Sequence, residues 1–221
     1  DGLKKYFTVK NSFSAAKTVK AVDGVSFHIN EGETFGLVGE TACGKSTLGR
    51  TLIRLHEPTE GTISYRGEDI TKGNMRPLRR KLQIIFQDPG GSMDHHMKVG
   101  GLIEEVLRTH KIGENKKERI DIAREHLEKV GLKGDSVDRY PSEFSGGEQQ
   151  RISIARALVL KPEFIVCDEP TSALDVSIQS QIVNLLEDMQ AKLGLTYLFI
   201  SHNLPVVRHI SDRIGVRYLG R

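Results

Sequence analysis

One stretch of nine residues, 39–47, limits the fold of this chain more than any other part of its sequence. It reads Gly-Glu-Thr-Ala-Cys-Gly-Lys-Ser-Thr and meets the pattern Gly-x-x-x-x-Gly-Lys-[Ser/Thr] in full. The apolar run 34–38 before it predicts a buried strand, and residues 48–55 after it predict a helix. A strand, a glycine-rich loop and a helix in this order favour an α/β fold whose sheet positions the loop.

This loop predicts a site for a nucleotide triphosphate. Glycines let the loop curl so that successive N–H groups point at phosphate oxygens, and the helix N-terminus faces the same anion. We expect Lys45 to reach the β- and γ-phosphates and the Ser46 hydroxyl to hold Mg²⁺. A glycine-rich turn without a ligand is the competing interpretation. The residues predicted to contact the nucleotide here are Gly39, Glu40, Thr41, Ala42, Cys43, Gly44, Lys45, Ser46 and Thr47.

Composition adds a few limits. The 221 residues are 38% hydrophobic and carry a net charge of +3, which suits a globular protein and does not argue for nucleic acid. The two cysteines lie in the loop and in an apolar run, so we expect a reducing compartment. No apolar run approaches the roughly 18 residues that span a bilayer, so we expect any membrane role to come through a partner. The chain begins without Met, and we expect truncation at both ends.

The rest of the chain predicts a largely parallel sheet interrupted by helices. Further strands are predicted at 20–30, 61–67, 82–86, 163–168 and 195–201. Helical spacing begins near residue 98 and returns at 178–193.

We therefore expect one domain over residues 1–221. Its core, a largely parallel sheet, and an antiparallel β subdomain comprise residues 1–90 and 161–221, and residues 91–160 form an inserted helical subdomain.

Two carboxylates follow the strand 164–167, which is apolar throughout. Such a strand is buried on both faces, and a parallel sheet binds ligands beyond the carboxyl ends of its strands. We expect Asp168 to hold Mg²⁺ through water and Glu169 to accept a proton from an attacking water. An acidic turn without a ligand is the alternative, which the loop upstream disfavours.

Gln87 and His202 each follow another predicted strand, on what should be the same edge of the sheet. Gln87 offers an amide oxygen to the metal or an amide donor to water. The His202 imidazole can donate a hydrogen bond beside a γ-phosphate and orient the base. Alone, a Gln before a turn carries little information, and a single His at such a position is usually structural.

Residues 144–151, Phe-Ser-Gly-Gly-Glu-Gln-Gln-Arg, begin a further helix. Ser145 and Glu148 meet the capping-box rule, and Gly146 and Gly147 leave the first-turn N–H groups exposed. One interpretation is a well-capped helix, and the other is a second anion site. The helix pattern does not choose between them.

Taken in order, the loop, Gln87, the Ser-Gly-Gly segment, the Asp168–Glu169 pair and His202 resemble the ATP-binding subunits of ABC transporters over nearly the whole chain. The resemblance implies that the Ser-Gly-Gly signature binds the γ-phosphate held by an opposite subunit, so that two subunits clamp two ATP molecules. The signature residues are Ser145, Gly146, Gly147 and Glu148. The resemblance further implies that Tyr6 stacks on adenine and that Asp175 contributes to the dimer contact.

Residues 3–7, 20–27 and 83–89 resemble the oligopeptide and dipeptide importers more closely, and Cys43 with residues 47–50 resembles their second ATPase subunit. That subunit ordinarily pairs with a non-identical sister. The resemblance implies ATP hydrolysis that drives peptide uptake, with two permease subunits and, indirectly, an extracytoplasmic substrate-binding protein. It places the chain at the cytoplasmic face of the membrane, without nucleic acid.

The sequence departs from the importers at three places. Ala42 stands where they usually have Gly, and we expect its φ to be below zero because it has a Cβ. Glu148 replaces the commoner Gln. A carboxylate that pointed at a γ-phosphate would repel it, so we expect the Glu148 side chain to turn back and cap its own helix. Residues 92–97 differ where the family meets its membrane subunit, and we expect their His95–His96 pair to be a polar loop.

Other functions are less well supported. A soluble ABC protein acting on DNA or ribosomes would need a long heptad insertion or a second cassette, and a GTPase would need an Asn-Lys-x-Asp base reader. A regulatory ATP binder without hydrolysis and an ABC subunit for a non-peptide substrate stay open, although Glu169 and His202 favour hydrolysis over the former.

Overall fold

A five-stranded parallel sheet forms the centre of the fold in the computed structural model, which describes residues 1–9 and 17–218. The strands, in chain order, are β1 Leu3–Val9, β2 Lys17–Val25, β3 Thr34–Gly39, β4 Ser64–Tyr65, β5 Glu68–Asp69, β6 Leu82–Ile85, β7 Phe164–Asp168, β8 Thr196–Ser201 and β9 Arg213–Arg217. The central sheet has the order β6-β7-β8-β3-β9, while β1 with β2 and β4 with β5 form antiparallel pairs. The carboxyl ends of β7, β3 and β8 therefore meet at one edge, where a parallel sheet binds its ligands.

Helices connect these strands and cover the sheet. They are α1 Lys45–Leu52, α2 Val99–Thr109, α3 Lys116–Lys129, α4 Gly146–Leu158, α5 Val176–Leu193 and α6 Leu204–Ile210, with 3₁₀ turns at Gly134–Asp138 and Pro141–Glu143. Three of them, α2, α3 and α4, lie between β6 and β7 in the chain and pack against one another. The predicted α/β fold with antiparallel strands and inserted helices is confirmed, and the domain boundaries stay a prediction.

The core consists of two apolar clusters, and β8 contributes to both. Tyr197 and Phe199 belong to the cluster beneath α2 to α6, while Leu198 and Ile200 belong to the cluster beneath α1, β1 and β2. Successive side chains of a strand point to opposite faces, so one strand joins two cores. Burying each such side chain contributes about 1.5–3 kcal/mol to stability. The strands that end at the polar edge of the sheet are therefore held in place by both cores.

Several predicted strands are shorter in the structure. The strand predicted at 20–30 ends at Val25, after which Phe27 stacks on Phe35 with ring centroids 5.0 Å apart. The strand predicted at 61–67 is instead the hairpin of β4 and β5. Its turn residues Arg66 and Gly67 both have positive φ, 51° and 81°, as a tight two-residue hairpin turn requires.

Candidate active site

The phosphate loop joins the central strand β3 to α1. Gly44 is the N-cap of α1, with φ 92°, and has no side chain that could satisfy the first N–H groups of the helix. A Cβ on Gly44 would collide with the Ala21 carbonyl oxygen, so the loop conformation and its packing both require glycine there. The result is an uncapped helix N-terminus at the edge of the sheet, which is a ready-made anion site.

Ala42 contradicts the prediction made from its side chain. Its φ is 62°, in the left-handed region, and not below zero. The curl of the loop determines the backbone here, and the exposed methyl group does not obstruct it. A non-glycine residue in this conformation costs about 1–2 kcal/mol, which the surrounding fold must offset.

Lys45 already lies across the loop. Its ammonium donates hydrogen bonds to the carbonyl oxygens of Gly39 at 2.7 Å and Glu40 at 2.8 Å, and it lies 4.0 Å from Glu169 Oε1. The side chain is only 3% exposed. A phosphate group entering the loop therefore meets a lysine that is positioned by the backbone.

A cavity of about 370 Å³ opens in front of the loop. Of the described residues, those lining it are Val19, Lys20, Ala21, Ala42, Cys43, Gly44, Lys45, Ser46, Thr47 and Glu169. The structure thus brings the Lys-Ser-Thr end of the loop together with Glu169, as the sequence predicted. The contribution of β2, through Val19 to Ala21, was missed because an alternating strand carries no chemical signature.

Glu169 and His202 face each other at the ends of neighbouring strands β7 and β8. His202 Nδ1 lies 3.0 Å from Glu169 Oε2, and the Glu169 backbone N–H donates to the Ile200 carbonyl at 3.0 Å. Glu169 has φ 48°, an unfavourable conformation for a non-glycine residue and one that clusters at functional sites. The backbone therefore holds this carboxylate between Lys45 and His202.

Asp168 is fully buried and forms an ion pair with Arg50. The sequence did not predict this pair. Arg50 Nη2 donates to Asp168 Oδ2 at 3.1 Å, and its guanidinium carbon lies 5.9 Å from the centroid of the Phe86 ring. The other carboxylate oxygen, Oδ1, has no hydrogen-bond partner among the described residues. Nothing in the local sequence distinguishes Arg50 from other helix residues, so only the folded chain reveals this pair.

Gln87 lies just beyond β6 in a larger cavity of about 840 Å³. The walls of this cavity come from the core, through Arg50 and Phe86, and from the inserted helices, through Val106 and Arg156. Gln87 is therefore outside the lining of the phosphate cavity and at the junction of the two parts of the fold.

Tyr6 is also outside the lining of the phosphate cavity. It pairs across β1 and β2 with Lys20, whose ammonium lies 5.3 Å from the Tyr6 ring centroid. Its hydroxyl donates to Asp23, and this hydrogen bond to a carboxylate raises the pKa of Tyr6. Since Lys20 lines the phosphate cavity, the ring is adjacent to one of the residues of that lining.

The signature segment forms a closed capping box at the start of α4. Glu148 Oε2 accepts hydrogen bonds from the Ser145 backbone N–H at 2.9 Å and from its hydroxyl at 2.8 Å, while the Glu148 N–H donates to Ser145 Oγ at 3.4 Å. These bonds, first the backbone one, lower the pKa of Glu148. The prediction that Glu148 turns back onto its own helix is confirmed.

Asp175 is exposed at the N-cap of α5. The segment around it packs on the signature, since a Cβ on Gly147 would lie 2.5 Å from Ile178 Cγ2. Asp175 and the signature therefore share one surface, which is separate from the lining of the phosphate cavity.

Among residues 1–9 and 17–218, no three His, Cys, Asp or Glu side chains gather where they could hold a metal ion, and the His95–His96 pair lies in a turn. A magnesium ion held by phosphates, a hydroxyl and a single carboxylate would not require such a cluster. None of the helices in the described part of the chain combines the length and the apolar composition of a membrane-crossing segment.

Together, the sheet order, the uncapped glycine loop and the carboxylate at the end of β7 define an ATP-binding cassette. Solved structures support this class. The ATP-binding cassette MJ0796, in a dimeric post-hydrolysis state bound to ADP and Pi, superposes with a TM-score of 0.86 at 27% identity over 99% of this chain and 93% of the other. The cassette cbiO1 from Clostridium perfringens, part of a cbiONQ transporter complex, gives a TM-score of 0.81 at 26% identity over 100% and 86%.

The chain belongs to the ABC transporter family, whose model matches residues 22–172. Relatives from Bacillus subtilis include the putative oligopeptide transport ATP-binding protein YkfD, 57% identical over 96% of this chain and 66% of its own length. The oligopeptide transport ATP-binding protein AppF is 52% identical over 99% of this chain and 68% of its length. The chain therefore spans about two thirds of these relatives.

Proposed function

We propose that this chain is an ATP-hydrolysing subunit of an ABC importer that takes up oligopeptides or dipeptides. The observation that carries the hydrolysis is the position of the Glu169 carboxylate, 4.0 Å from Lys45 in the phosphate loop and 3.0 Å from His202. The similarity to oligopeptide transport ATP-binding proteins supports the substrate class.

In this proposal the triphosphate occupies the loop of residues 39–47. Lys45 exchanges its two backbone carbonyl partners for phosphate oxygens, which are charged and bind an ammonium more strongly. Tyr6 stacks on the adenine at the mouth of the cavity. Both contacts use groups that the fold has already placed, so binding requires little ordering of the protein.

Ser46, Gln87 and Asp168 would hold Mg²⁺ together with the phosphates. The buried Oδ1 of Asp168, which lacks a hydrogen-bond partner among the described residues, suits a cation reached directly or through water. The ion would supply charge neutralisation at the β- and γ-phosphates. Gln87 must move with the junction it occupies to reach such a site, which links nucleotide binding to the inserted helices.

Glu169 takes the proton from the attacking water, and His202 orients that carboxylate through the 3.0 Å contact. Lys45 stabilises the negative charge that develops on the transferred phosphoryl group. Positioning and charge stabilisation account for most of the rate in such transfers, so the left-handed backbone that fixes Glu169 contributes to catalysis.

The signature of one subunit completes the site of another. Ser145, Gly146, Gly147 and Glu148 lie on the surface they share with Asp175, and in the proposal this surface contacts a second ATP-binding subunit, preferably a non-identical sister. ATP closes the pair head to tail, and hydrolysis reopens it. Closure moves the inserted helices and the Gln87 junction, and thereby two permease subunits at the cytoplasmic face of the membrane. An extracytoplasmic binding protein delivers the peptide.

Hydrolysis is tested with purified wild type, Glu169→Gln and the control Glu125→Gln, an exposed residue of α3. We expect Glu169→Gln to retain ATP binding while its hydrolysis rate falls by about 10²–10⁴-fold, as the loss of a general base does. The control should match wild type. Equal rates for Glu169→Gln and wild type would refute the assignment of the base.

Peptide import is tested in cells that lack the chain. Cells that express wild type with its co-purifying permease should accumulate a labelled tripeptide, and cells that express Glu169→Gln should not. Active hydrolysis without uptake of any peptide in a mixed library would contradict the substrate class while leaving the ATPase assignment intact.

A further inference from the structure

Arg217, the last residue of β9, is buried directly behind the phosphate loop. Its side chain is 2% exposed. Because β9 pairs with β3 in parallel, Arg217 lies opposite Gly39, the first residue of the loop. A Cβ on Gly39 would collide with the Arg217 carbonyl oxygen, so the backbones of the two residues are in close contact.

The guanidinium reaches from this position under the loop to its far end. Nε donates to the Cys43 carbonyl oxygen at 2.9 Å, and Nη2 donates to the Ala21 carbonyl oxygen at 2.7 Å. Cys43 and Ala21 both line the phosphate cavity. One buried side chain therefore ties the loop to β2, and its planar fork suits two acceptors at fixed positions.

The bond to Cys43 fixes the direction of the next peptide N–H. In a trans peptide the C=O and N–H groups point in opposite directions, and the bond does not rotate. Since the Cys43 oxygen is held from behind, the Gly44 N–H must point to the opposite side, toward the cavity. Gly44 is itself close to the guanidinium, because a Cβ there would lie 3.2 Å from Nη2.

The side chain also adds charge. Arginine stays protonated at neutral pH. A cation within a low-dielectric interior attracts a nearby anion more strongly than an exposed cation does. The positive charge of Arg217 therefore acts from behind the loop on the same phosphates that Lys45 contacts from the front.

We infer that Arg217 is a positioning residue for nucleotide binding, which aims the Gly44 N–H at a phosphate and supplies a buried positive charge beneath it. This inference rests on the proposed nucleotide binding. The residue acts through the loop and does not touch the nucleotide, so its removal should raise KM for ATP far more than it lowers kcat.

The test compares ATP binding by titration calorimetry in wild type, Arg217→Met, Arg217→Lys and the control Arg213→Met. Arg213 lies on the same strand, is partly exposed and pairs with Glu33 at 3.1 Å, away from the loop. We expect Arg217→Met to weaken ATP binding about tenfold or more, the loss typical of hydrogen bonds from a charged group, with Arg217→Lys in between. Arg213→Met should bind like wild type.

Thermal unfolding without nucleotide separates a merely structural role from positioning. A folded Arg217→Met variant with wild-type ATP affinity and KM would overturn the inference and leave the proposed function intact. Absence of ATP binding in wild type would instead overturn the proposed function. If Arg217→Met does not fold, wild-type affinity in Arg217→Lys overturns the inference, and weakened affinity with unchanged kcat supports it.

Discussion

Helices α1 and α4 both begin at glycine-rich segments, and they satisfy their first N–H groups in opposite ways. At α1 the N-cap is Gly44, which offers no side chain, so the N–H groups of the first turn face the phosphate cavity. At α4 the N-cap is Ser145, whose hydroxyl accepts from the Glu148 N–H while Glu148 accepts from Ser145 in return. One terminus is open to an anion, and the other is closed by its own side chains.

The two termini also differ in the residues that surround them. The α1 terminus has Lys45 in front of it, Arg217 behind it and Glu169 opposite. The α4 terminus is exposed and carries a carboxylate in its first turn. The α1 terminus is therefore the one suited to bind a phosphate directly, and we propose that α4 contacts only a phosphate that another subunit already holds.

Removal of Lys45 should have the largest effect on ATP affinity. Lys45 belongs to the open terminus of α1, so the substitution leaves the closed terminus of α4 intact. Lys45→Ala removes two charged hydrogen bonds to phosphate, and we expect ATP affinity to fall about a hundredfold. Calorimetric titration measures it, with the exposed Lys192→Ala as the control. An unchanged affinity in Lys45→Ala would place the nucleotide somewhere other than this loop.

Arg50→Met should chiefly lower stability. It leaves the buried Asp168 carboxylate without its partner, and we expect the free energy of unfolding to fall by about 2–3 kcal/mol. Urea denaturation measures the change. Arg124→Met, which breaks an exposed pair with Asp121, is the matched control and should cost less than about 1 kcal/mol. Similar losses for both variants would mean that the buried pair with Asp168 contributes no more to stability than an exposed pair does.

Glu148→Ala opens the capping box at α4 and should cost about 1 kcal/mol at neutral pH. The pKa of Glu148 is lowered in the folded state, so its contribution is full above its ordinary value of 4.5 and is lost as pH falls through the lowered value. The gap between wild type and variant should therefore close in acid. Urea curves from neutral pH to well below the ordinary value of 4.5 check this. A gap that is constant with pH would mean that the Glu148 charge does not support the cap.

Ala42→Gly should give the smallest change, and of opposite sign. Relief of the left-handed strain stabilises the folded state by about 1–2 kcal/mol, whereas the greater backbone entropy of glycine in the unfolded chain destabilises it by about 0.5–1 kcal/mol. The net increase in the free energy of unfolding is therefore below about 1.5 kcal/mol. Thermal unfolding compares it with Ala191→Gly in the exposed part of α5, which should be destabilised. Destabilisation in both variants would show that Ala42 is not strained.

The sequence predicted the fold class and most of the phosphate site because a motif of this kind carries its own geometry. The order strand, loop and helix determined where Lys45 and Ser46 lie, and the end of an apolar strand placed Glu169. Besides the contribution of β2 to the cavity, features of three single residues escaped prediction. The prediction of a negative φ for Ala42 was wrong because the path of the loop outweighed the preference of one side chain.

Arg50 and Arg217 escaped for a different reason. Arg50 acts across 118 residues on Asp168, and Arg217 acts across 174 residues on Cys43, so neither leaves a local pattern. Helix pattern also left open whether the start of α4 is a cap or an anion site. The Glu148 contacts show that it is capped, while its role toward a phosphate stays a prediction. Side chains that act at long range are thus the part of the site that only the folded chain reveals.

If the loop of one subunit works with the signature of another, two variants with different defects should restore hydrolysis when they are mixed. Lys45→Ala disables the loop. Gly146→Asp places a carboxylate at the signature, and the site has room for it because a Cβ there meets only Leu174 at 3.5 Å. Each variant alone should be inactive, and the mixture should regain hydrolysis through loops and signatures from different chains.

If association requires a sister subunit, the Gly146→Asp chain should instead abolish hydrolysis at the sister's loop while its own loop still binds ATP. Wild-type hydrolysis by the Gly146→Asp variant alone, at concentrations where it is monomeric, would show that the loop works without the signature of a second subunit.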